Sequence, residues 1–120
     1  MDLLAKHEKF EMEVLNHLNS GRVLDKVVFG GGTMLRLCHE LNRYSADLDF
    51  WLIKKVDFDA YLKKICSLFK NEYEITDSQN KHFSLLVEVR LTNYPKRLKI
   101  EIRKEITLFD FPTLFLILNN

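Results

Sequence analysis

The chain has 120 residues, of which 47% are hydrophobic and 29% are charged, a balance typical of one soluble globular domain. Its formal net charge is +1, so overall charge does not predict binding to nucleic acid or to a membrane surface. Acidic residues run through the N-terminal segment and no apolar run is long enough to cross a bilayer, so we predict one cytoplasmic domain over residues 1–120.

The two cysteines predict neither a metal site nor a disulfide. Cys38 and Cys66 do not form a CxxC pair, and no histidine lies near either at the spacing of metal ligands. We therefore predict reduced, buried thiols.

The first predicted element is a helix over residues 3–18. Phe10, Val14 and Leu18 recur at helical spacing. The predicted polar side is formed by charged residues, namely Lys6, Glu8, Lys9, Glu11 and Glu13. His7 and His17 lie on the same helix, and we interpret both as surface or packing residues.

The next stretch predicts a strand, a glycine turn, a helix, a loop and a second strand. These elements are residues 23–29, 30–32, 33–41, 42–45 and 46–53. The first strand is apolar and β-branched, and the second alternates polar and apolar residues. Thr33 is a suitable N-cap for the helix between them.

The second half predicts a helix and further strands. Asp57 is the predicted N-cap of a third helix that ends near Phe69. The remaining predictions are an edge strand over 73–76, a turn over 77–80, and a hairpin of strands 82–91 and 97–103. The apolar tail from Ile106 to Leu118 predicts burial on this domain or on a partner, including self-association.

Two acids on the second strand predict a metal site. Asp47 and Asp49 are two residues apart, so they face the same way at about 6–7 Å. Two carboxylates this close repel each other unless cations lie between them, and two Mg²⁺ (or Mn²⁺) ions would also bind the phosphates of a nucleotide. A third carboxylate from another strand would complete the site. We favour Glu101, and Glu88 is the alternative because its sequence pattern is similar.

The glycine turn predicts contact with phosphates. Glycines lack side chains, so Gly31 and Gly32 allow the backbone to approach a phosphate and direct N–H groups at it. The helix that begins at Thr33 adds the positive end of its dipole. Together with the acid pair, this order of strand, turn, helix and strand is more specific than either motif alone.

These motifs resemble the nucleotidyltransferase superfamily that shares the fold of DNA polymerase beta, whose pattern is hG[GS]…Dh[DE]h. The sequence is more closely similar to the AbiEii/AbiGii toxin family, with its GGT…L…R-x-S-x-DLDF signature. The matching residues are Gly31, Gly32, Thr33, Leu35, Arg43, Ser45, Asp47, Leu48, Asp49 and Phe50.

The resemblance implies an α+β fold, with a mixed sheet flanked by helices, and a role for each motif residue. Asp47, Asp49 and Glu101 would be the catalytic acids and metal ligands, with Glu101 assisting the attacking hydroxyl. The remaining site residues would bind the nucleotide: Gly31, Gly32 and Thr33 at the triphosphate, and Arg43 and Ser45 along the site.

The resemblance also implies an activity and partners. Related toxins transfer a nucleoside monophosphate from an NTP to RNA, with tRNA acceptor ends among the targets, or to protein, and an antitoxin often neutralises them. Family members usually continue into a helical region, and we expect that region to be absent from this chain. The alternatives are therefore a catalytically incomplete remnant that binds nucleotide or protein, and a structural domain without a nucleotide site.

Overall fold

A computed structural model describes residues 3–29 and 47–106. They form two helices, α1 (Leu3–Ser20) and α2 (Phe58–Phe69), and a five-stranded sheet. The strands are β1 (Val27–Phe29), β2 (Asp47–Leu52), β3 (Glu74–Asn80), β4 (Ser84–Arg90) and β5 (Leu98–Arg103). Their order in the sheet is β1-β2-β5-β4-β3. Only the β2–β5 pair is parallel, and the other neighbours are antiparallel. The predicted α+β fold with a mixed sheet is confirmed.

Helix α1 packs on the sheet through the predicted apolar stripe, but that stripe also contains two polar residues. Phe10, Val14 and Leu18 are at most 1% exposed. His7 and Glu11 are buried to the same degree, with Nε2 and Oε1 3.6 Å apart. The prediction that Glu11 lies on the polar side is therefore wrong. At 100° per residue, positions 7, 11, 14 and 18 share one face of a helix, whatever side chains they carry.

The predicted strand 23–29 begins later than expected. Val23–Lys26 forms a 3₁₀ turn, which follows Arg22 in the left-handed conformation at φ 62°. Val23 lies in this turn and is buried. Its carbonyl accepts a hydrogen bond from the Tyr61 hydroxyl at 2.6 Å. The apolar run therefore reflects burial of a turn and of the short strand β1, rather than one continuous strand.

Burial of Tyr61 predicts a loss of stability in alkali. Burial, followed by the negative charge of Asp25, raises the pKa of the Tyr61 hydroxyl well above its usual value of about 10. The unfolded chain then releases this proton at a lower pH than the folded chain does. The contribution of the protonated Tyr61 hydroxyl to the free energy of unfolding is therefore complete below pH 10. Above pH 10 it declines by at most about 1.4 kcal/mol per pH unit.

Urea unfolding across pH 9–11 measures this contribution. We expect Tyr61→Phe to be less stable at neutral pH by about 1–2 kcal/mol, because the Val23 carbonyl loses its donor. We expect its stability to decline less steeply above pH 10 than that of the wild type. Equal alkaline slopes in the two proteins would contradict the prediction.

Helix α2 and strand β2 agree with prediction. The Asp57 carboxylate accepts a hydrogen bond from the Ala60 N–H at 3.0 Å and so caps α2, which buries Tyr61, Ile65 and Phe69. In β2 the apolar residues alternate into the core, and Leu48, Phe50 and Leu52 are all at most 2% exposed.

The predicted turn at residues 77–80 is wrong, because these residues complete strand β3. Their polar side chains suggested a turn, but residues 77–80 pair in antiparallel register with Glu88, Val87, Leu86 and Leu85. An edge strand exposes one side to solvent, so it accommodates polar residues that a central strand would exclude. The turn lies at residues 81–83, directly before β4.

The predicted hairpin of β4 and β5 is present, and a cluster of aromatic residues joins it to α1. The Glu13 carboxylate accepts hydrogen bonds from the hydroxyls of Tyr73 at 3.0 Å and Tyr94 at 2.9 Å. Tyr94, in the hairpin loop, also stacks on Phe10 with ring centroids 4.6 Å apart. These contacts fix the loop between β4 and β5 against the first helix.

Several predictions lie outside the described residues, among them the glycine turn, the helix at 33–41, the loop at 42–45, Cys38 and residues 107–118. Cys66 is a free thiol, as predicted, but it is only half-buried and lies 3.3 Å from the Ser78 hydroxyl. Within the described ranges, neither helix combines the length and apolarity needed to cross a membrane. The cytoplasmic location and the single-domain organisation stay predictions.

Candidate functional site

The parallel pairing of β2 with β5 brings two of the predicted acids together. Asp49 and Glu101 are direct partners in the register of these strands. Neighbouring strands lie about 5 Å apart, and paired residues project from the same face of the sheet. The two carboxylates, 52 positions apart in the sequence, therefore lie side by side.

Burial identifies the face on which this pair lies. The residues that flank Asp49 and Glu101 belong to the core between the sheet and the helices: Leu48, Phe50, Ile100 and Ile102. Because side chains alternate along a strand, Asp49 and Glu101 project from the opposite face, and both are half-buried. We call this the acidic face of the sheet.

Asp47 begins β2, and its partner in the register is Lys99. Its backbone lies two residues before Asp49, about 6–7 Å along the strand, and the same orientation of the two carboxylates stays a prediction. The contacts of its side chain lie outside what the structure describes. Lys99 takes the same position on β5 relative to Glu101.

Glu88, the alternative third acid, lies elsewhere. It pairs with Lys99 from β4, so β5 separates it from β2. Its carboxylate accepts a hydrogen bond from the Thr76 hydroxyl at 2.8 Å and forms an ion pair with Arg97 at 3.4 Å. The strand register thus brings Glu101, and not Glu88, beside Asp49. Glu88 instead contacts Thr76 and Arg97.

The donor set on the acidic face fits a hard divalent cation. Among the described side chains, no three of His, Cys, Asp and Glu converge as a metal site. The side chain of Asp47 is outside that set, however, and Asp49 and Glu101 are paired across adjacent strands. Carboxylate oxygens are the ligands that Mg²⁺ and Mn²⁺ prefer, so Asp47, Asp49 and Glu101 are the residues that would hold such ions.

The other predicted site residues cannot be placed relative to this pair. Gly31, Gly32, Thr33, Arg43 and Ser45 all fall within residues 30–46, outside the described ranges. What the structure does establish is that β1 ends at Phe29 and pairs with β2 on the side away from β5.

A cavity of about 340 Å³ adjoins Glu101, and the sequence did not predict it. Its lining residues come from the start of β4 and the end of β5: Phe83, Ser84, Glu101, Arg103 and Glu105. Ser84 and Arg103 are partners in the register, which explains why residues 17 or more apart in sequence meet here. The only signal in the sequence was Phe83 itself, an aromatic residue next to a polar turn.

A second cavity, of about 270 Å³, is cationic and lies at the other end of the hairpin. Arg90, Lys96 and Arg97 line it together with Thr92, Tyr94 and Pro95. Lys99, which is close to Lys96 and Arg97 in the sequence, lies instead on β5, level with Asp47.

Comparison with known proteins gives a consistent picture. The family model described as "Nucleotidyl transferase AbiEii toxin, Type IV TA system" matches residues 13–113. No curated protein sequence matches the chain. A solved structure from H. pylori, described as that of a candidate nucleotidyltransferase, has 25% sequence identity and a TM-score of 0.56, with 88% of this chain and 47% of that chain covered.

A second structure, that of JHP933 from Helicobacter pylori, has 24% identity and a TM-score of 0.59, with 92% of this chain and 47% of that chain covered. At this identity the likeness concerns the fold alone. The chain therefore spans about half the length of the two solved structures that it resembles.

Proposed function

Because the chain belongs to the AbiEii nucleotidyl transferase toxin family, we propose that it transfers a nucleoside monophosphate from an NTP to a hydroxyl group of an RNA acceptor. The observation that carries the proposal is the register of β2 and β5, which pairs Asp49 with Glu101 on the acidic face. The predicted resemblance to this family is confirmed. The metal, nucleotide, acceptor and antitoxin belong to the proposal.

The reaction assigns a task to each acid. The acceptor oxygen bonds to the α-phosphorus of the NTP, and the bond from that phosphorus to the β-phosphate oxygen breaks. Pyrophosphate leaves with the electron pair of that bond, and the acceptor proton passes to the Glu101 carboxylate. Asp47 and Asp49, with Glu101 as a further ligand, are the residues that would hold two Mg²⁺ ions, and such ions would supply positive charge to the phosphates and to the developing negative charge.

The nucleotide site extends from the acids towards β1. Gly31, Gly32 and Thr33 follow the end of β1 in sequence and would contact the triphosphate, and Arg43 and Ser45 precede β2 and would line the site. Backbone N–H groups at such a turn bind phosphates without any side chain. These assignments rest on the family motif.

The cationic cavity on the hairpin supports an RNA acceptor. Arg90, Lys96 and Arg97 surround it, and Lys99 continues the positive charge to the position beside Asp47. Arg90 forms an ion pair with Glu74 at 3.9 Å, and Arg97 forms one with Glu88 at 3.4 Å. Both ion pairs are long, so they only partly neutralise the two guanidinium charges. Arginine and lysine side chains are suited to the phosphates of a nucleic acid strand.

A thermal-shift titration with each NTP, with and without Mg²⁺, tests the proposal. A ligand that binds only the folded chain stabilises it by about 2.7 kcal/mol at a hundredfold excess over its dissociation constant. We expect a Mg²⁺-dependent increase in Tm that Asp49→Asn removes. Glu72→Gln, an exposed residue of the turn before β3, removes one negative charge elsewhere and should keep the increase.

The outcome separates this proposal from the alternatives. A cooperative melting transition without any nucleotide effect would contradict it and favour a remnant or a structural domain. A shift that survives in Asp49→Asn would show that nucleotide binds away from the acidic face. The family description also makes an antitoxin the expected partner. Self-association through the tail stays a prediction, since only Ile106 of that segment is described.

A further inference from the structure

The cavity beside Glu101 has features that neither the fold nor the proposed catalytic roles require. It extends from Glu101 past Arg103 to the turn before β4, where Phe83 forms one wall. Its volume of about 340 Å³ is near the lower limit of ligand pockets, which measure roughly 300–1,000 Å³. The space is therefore suited to a group about as large as one nucleoside.

Phe83 is held in place by its backbone while its ring remains in solvent. The Phe83 carbonyl accepts a hydrogen bond from the Lys104 N–H at 2.9 Å, which continues the ladder between β4 and β5. The residue is nevertheless 79% exposed, the largest exposed fraction among the large hydrophobic residues described. Its ring and that of His82 are nearly perpendicular, with ring centroids 4.4 Å apart and planes at 82°. An exposed aromatic ring beside a polar cavity provides a surface on which a nucleobase can stack.

The charges in the cavity favour a nucleoside over a triphosphate. Two carboxylates, Glu101 and Glu105, line it together with one guanidinium, that of Arg103. Ionised carboxylates only accept hydrogen bonds, and the two hydroxyls of a ribose are suitable donors. The lining offers one guanidinium, which matches the single phosphate that joins a terminal nucleoside to the rest of a strand rather than the three phosphates of an NTP.

The order of the strands places the cavity on the acceptor side of the site. β1, whose last residue Phe29 precedes the glycine motif in the sequence, pairs with β2 on the side away from β5. Glu101 and the cavity lie on the other side, on β5 and β4. A group bound there adjoins the acid that accepts the proton, which is where an attacking hydroxyl must lie.

We propose that this cavity binds the 3′-terminal nucleoside of a single-stranded RNA acceptor, with the base stacked on Phe83 and the ribose hydroxyls directed to Glu101 and Glu105. The inference rests on the proposed transfer reaction for the role of the terminal hydroxyl. Arg103 contacts the phosphate that precedes this nucleoside. Phe83 and Arg103 are then binding residues for the acceptor, a role that the family motif does not give them.

Fluorescence anisotropy with a short single-stranded RNA, labelled at its 5′ end and bearing free 2′ and 3′ hydroxyls, tests the assignment. Loss of one base–aromatic stack predicts that Phe83→Ala weakens binding by about 5- to 150-fold. Phe83→Trp should restore the affinity, since it retains a stacking surface. Met12→Ala removes another exposed apolar side chain, from the far side of the sheet on α1, and should bind like the wild type. The same RNA with a terminal ribose lacking both hydroxyls should bind the wild type more weakly.

The nucleotide titration described above, repeated on Phe83→Ala, separates this proposal from the transfer reaction. We expect the Mg²⁺-dependent increase in Tm to be unchanged in this variant. Loss of that increase would overturn the assignment, because the cavity would then hold the base of the NTP. Unchanged RNA affinity in Phe83→Ala, or no RNA binding by the wild type, would overturn it as well. RNA binding that depends on Phe83 without any nucleotide effect would refute the transfer reaction and retain the RNA site.

Discussion

Replacing Glu101 with glutamine is expected to lower the rate of nucleotidyl transfer by about 100- to 10,000-fold, the range found when a positioned proton acceptor is lost. Glutamine keeps the size of the side chain but neither accepts a proton nor supplies a charged metal ligand. Glu101 is half-buried at the surface of the sheet, so the fold should tolerate the change. Transfer of a radiolabelled nucleotide to total RNA measures the rate, and the melting temperature shows that the variant is folded.

Glu88→Gln is the matched control for this substitution. Glu88 carries the same functional group, lies one strand further from β2, and showed the same alternating pattern in the sequence. Its loss removes the charge that pairs with Arg97, but glutamine can still accept from the Thr76 hydroxyl. We expect a loss of stability below about 1 kcal/mol and a transfer rate within a few-fold of wild type. An inactive Glu88→Gln with an active Glu101→Gln would reverse the assignment.

The sequence identified the acids and favoured Glu101, but strand alternation by itself did not distinguish Glu101 from Glu88. Alternation placed Asp49, Glu88 and Glu101 on polar faces of their strands, and the structure agrees. The choice depends on which strand lies next to β2, and alternation carries no information about strand order. Only the parallel pairing of β2 with β5, which joins segments distant in sequence, makes Glu101 the neighbour of Asp49.

Other errors have a similar origin in contacts between distant parts of the chain. Residues 77–80 have the composition of a turn, but pairing with β4 stabilises them as an edge strand. Glu11 was assigned to the polar side because of its charge, whereas its position on the helix buries it beside His7. The sequence also did not predict the exposure of Phe83, because a lone aromatic residue in a turn does not indicate whether its ring is buried.

Replacing Phe50 with alanine is expected to have the largest effect on stability. Phe50 lies between Asp49 and Trp51 in β2, is 2% exposed, and pairs with Ile102 across the parallel strands. Truncating a buried phenylalanine costs about 3–5 kcal/mol, because burial is lost and a cavity is left. A domain of this size is stable by about 6–18 kcal/mol in total, so urea unfolding should show a large decrease in the midpoint.

Phe83→Ala makes the same chemical change at a position that is 79% exposed, so it shows what burial contributes. We expect it to alter the free energy of unfolding by less than about 0.5 kcal/mol. The two variants then separate the two uses of phenylalanine in this chain. Phe50 stabilises the strands that bring Asp49 beside Glu101, and in Phe50→Ala nucleotide and RNA binding should both decline in proportion to the unfolded fraction. Phe83→Ala should bind RNA more weakly while it remains as stable as the wild type.

Equal destabilisation by both substitutions would mean that the Phe83 ring is packed in solution, which would remove the basis for assigning it to a nucleobase.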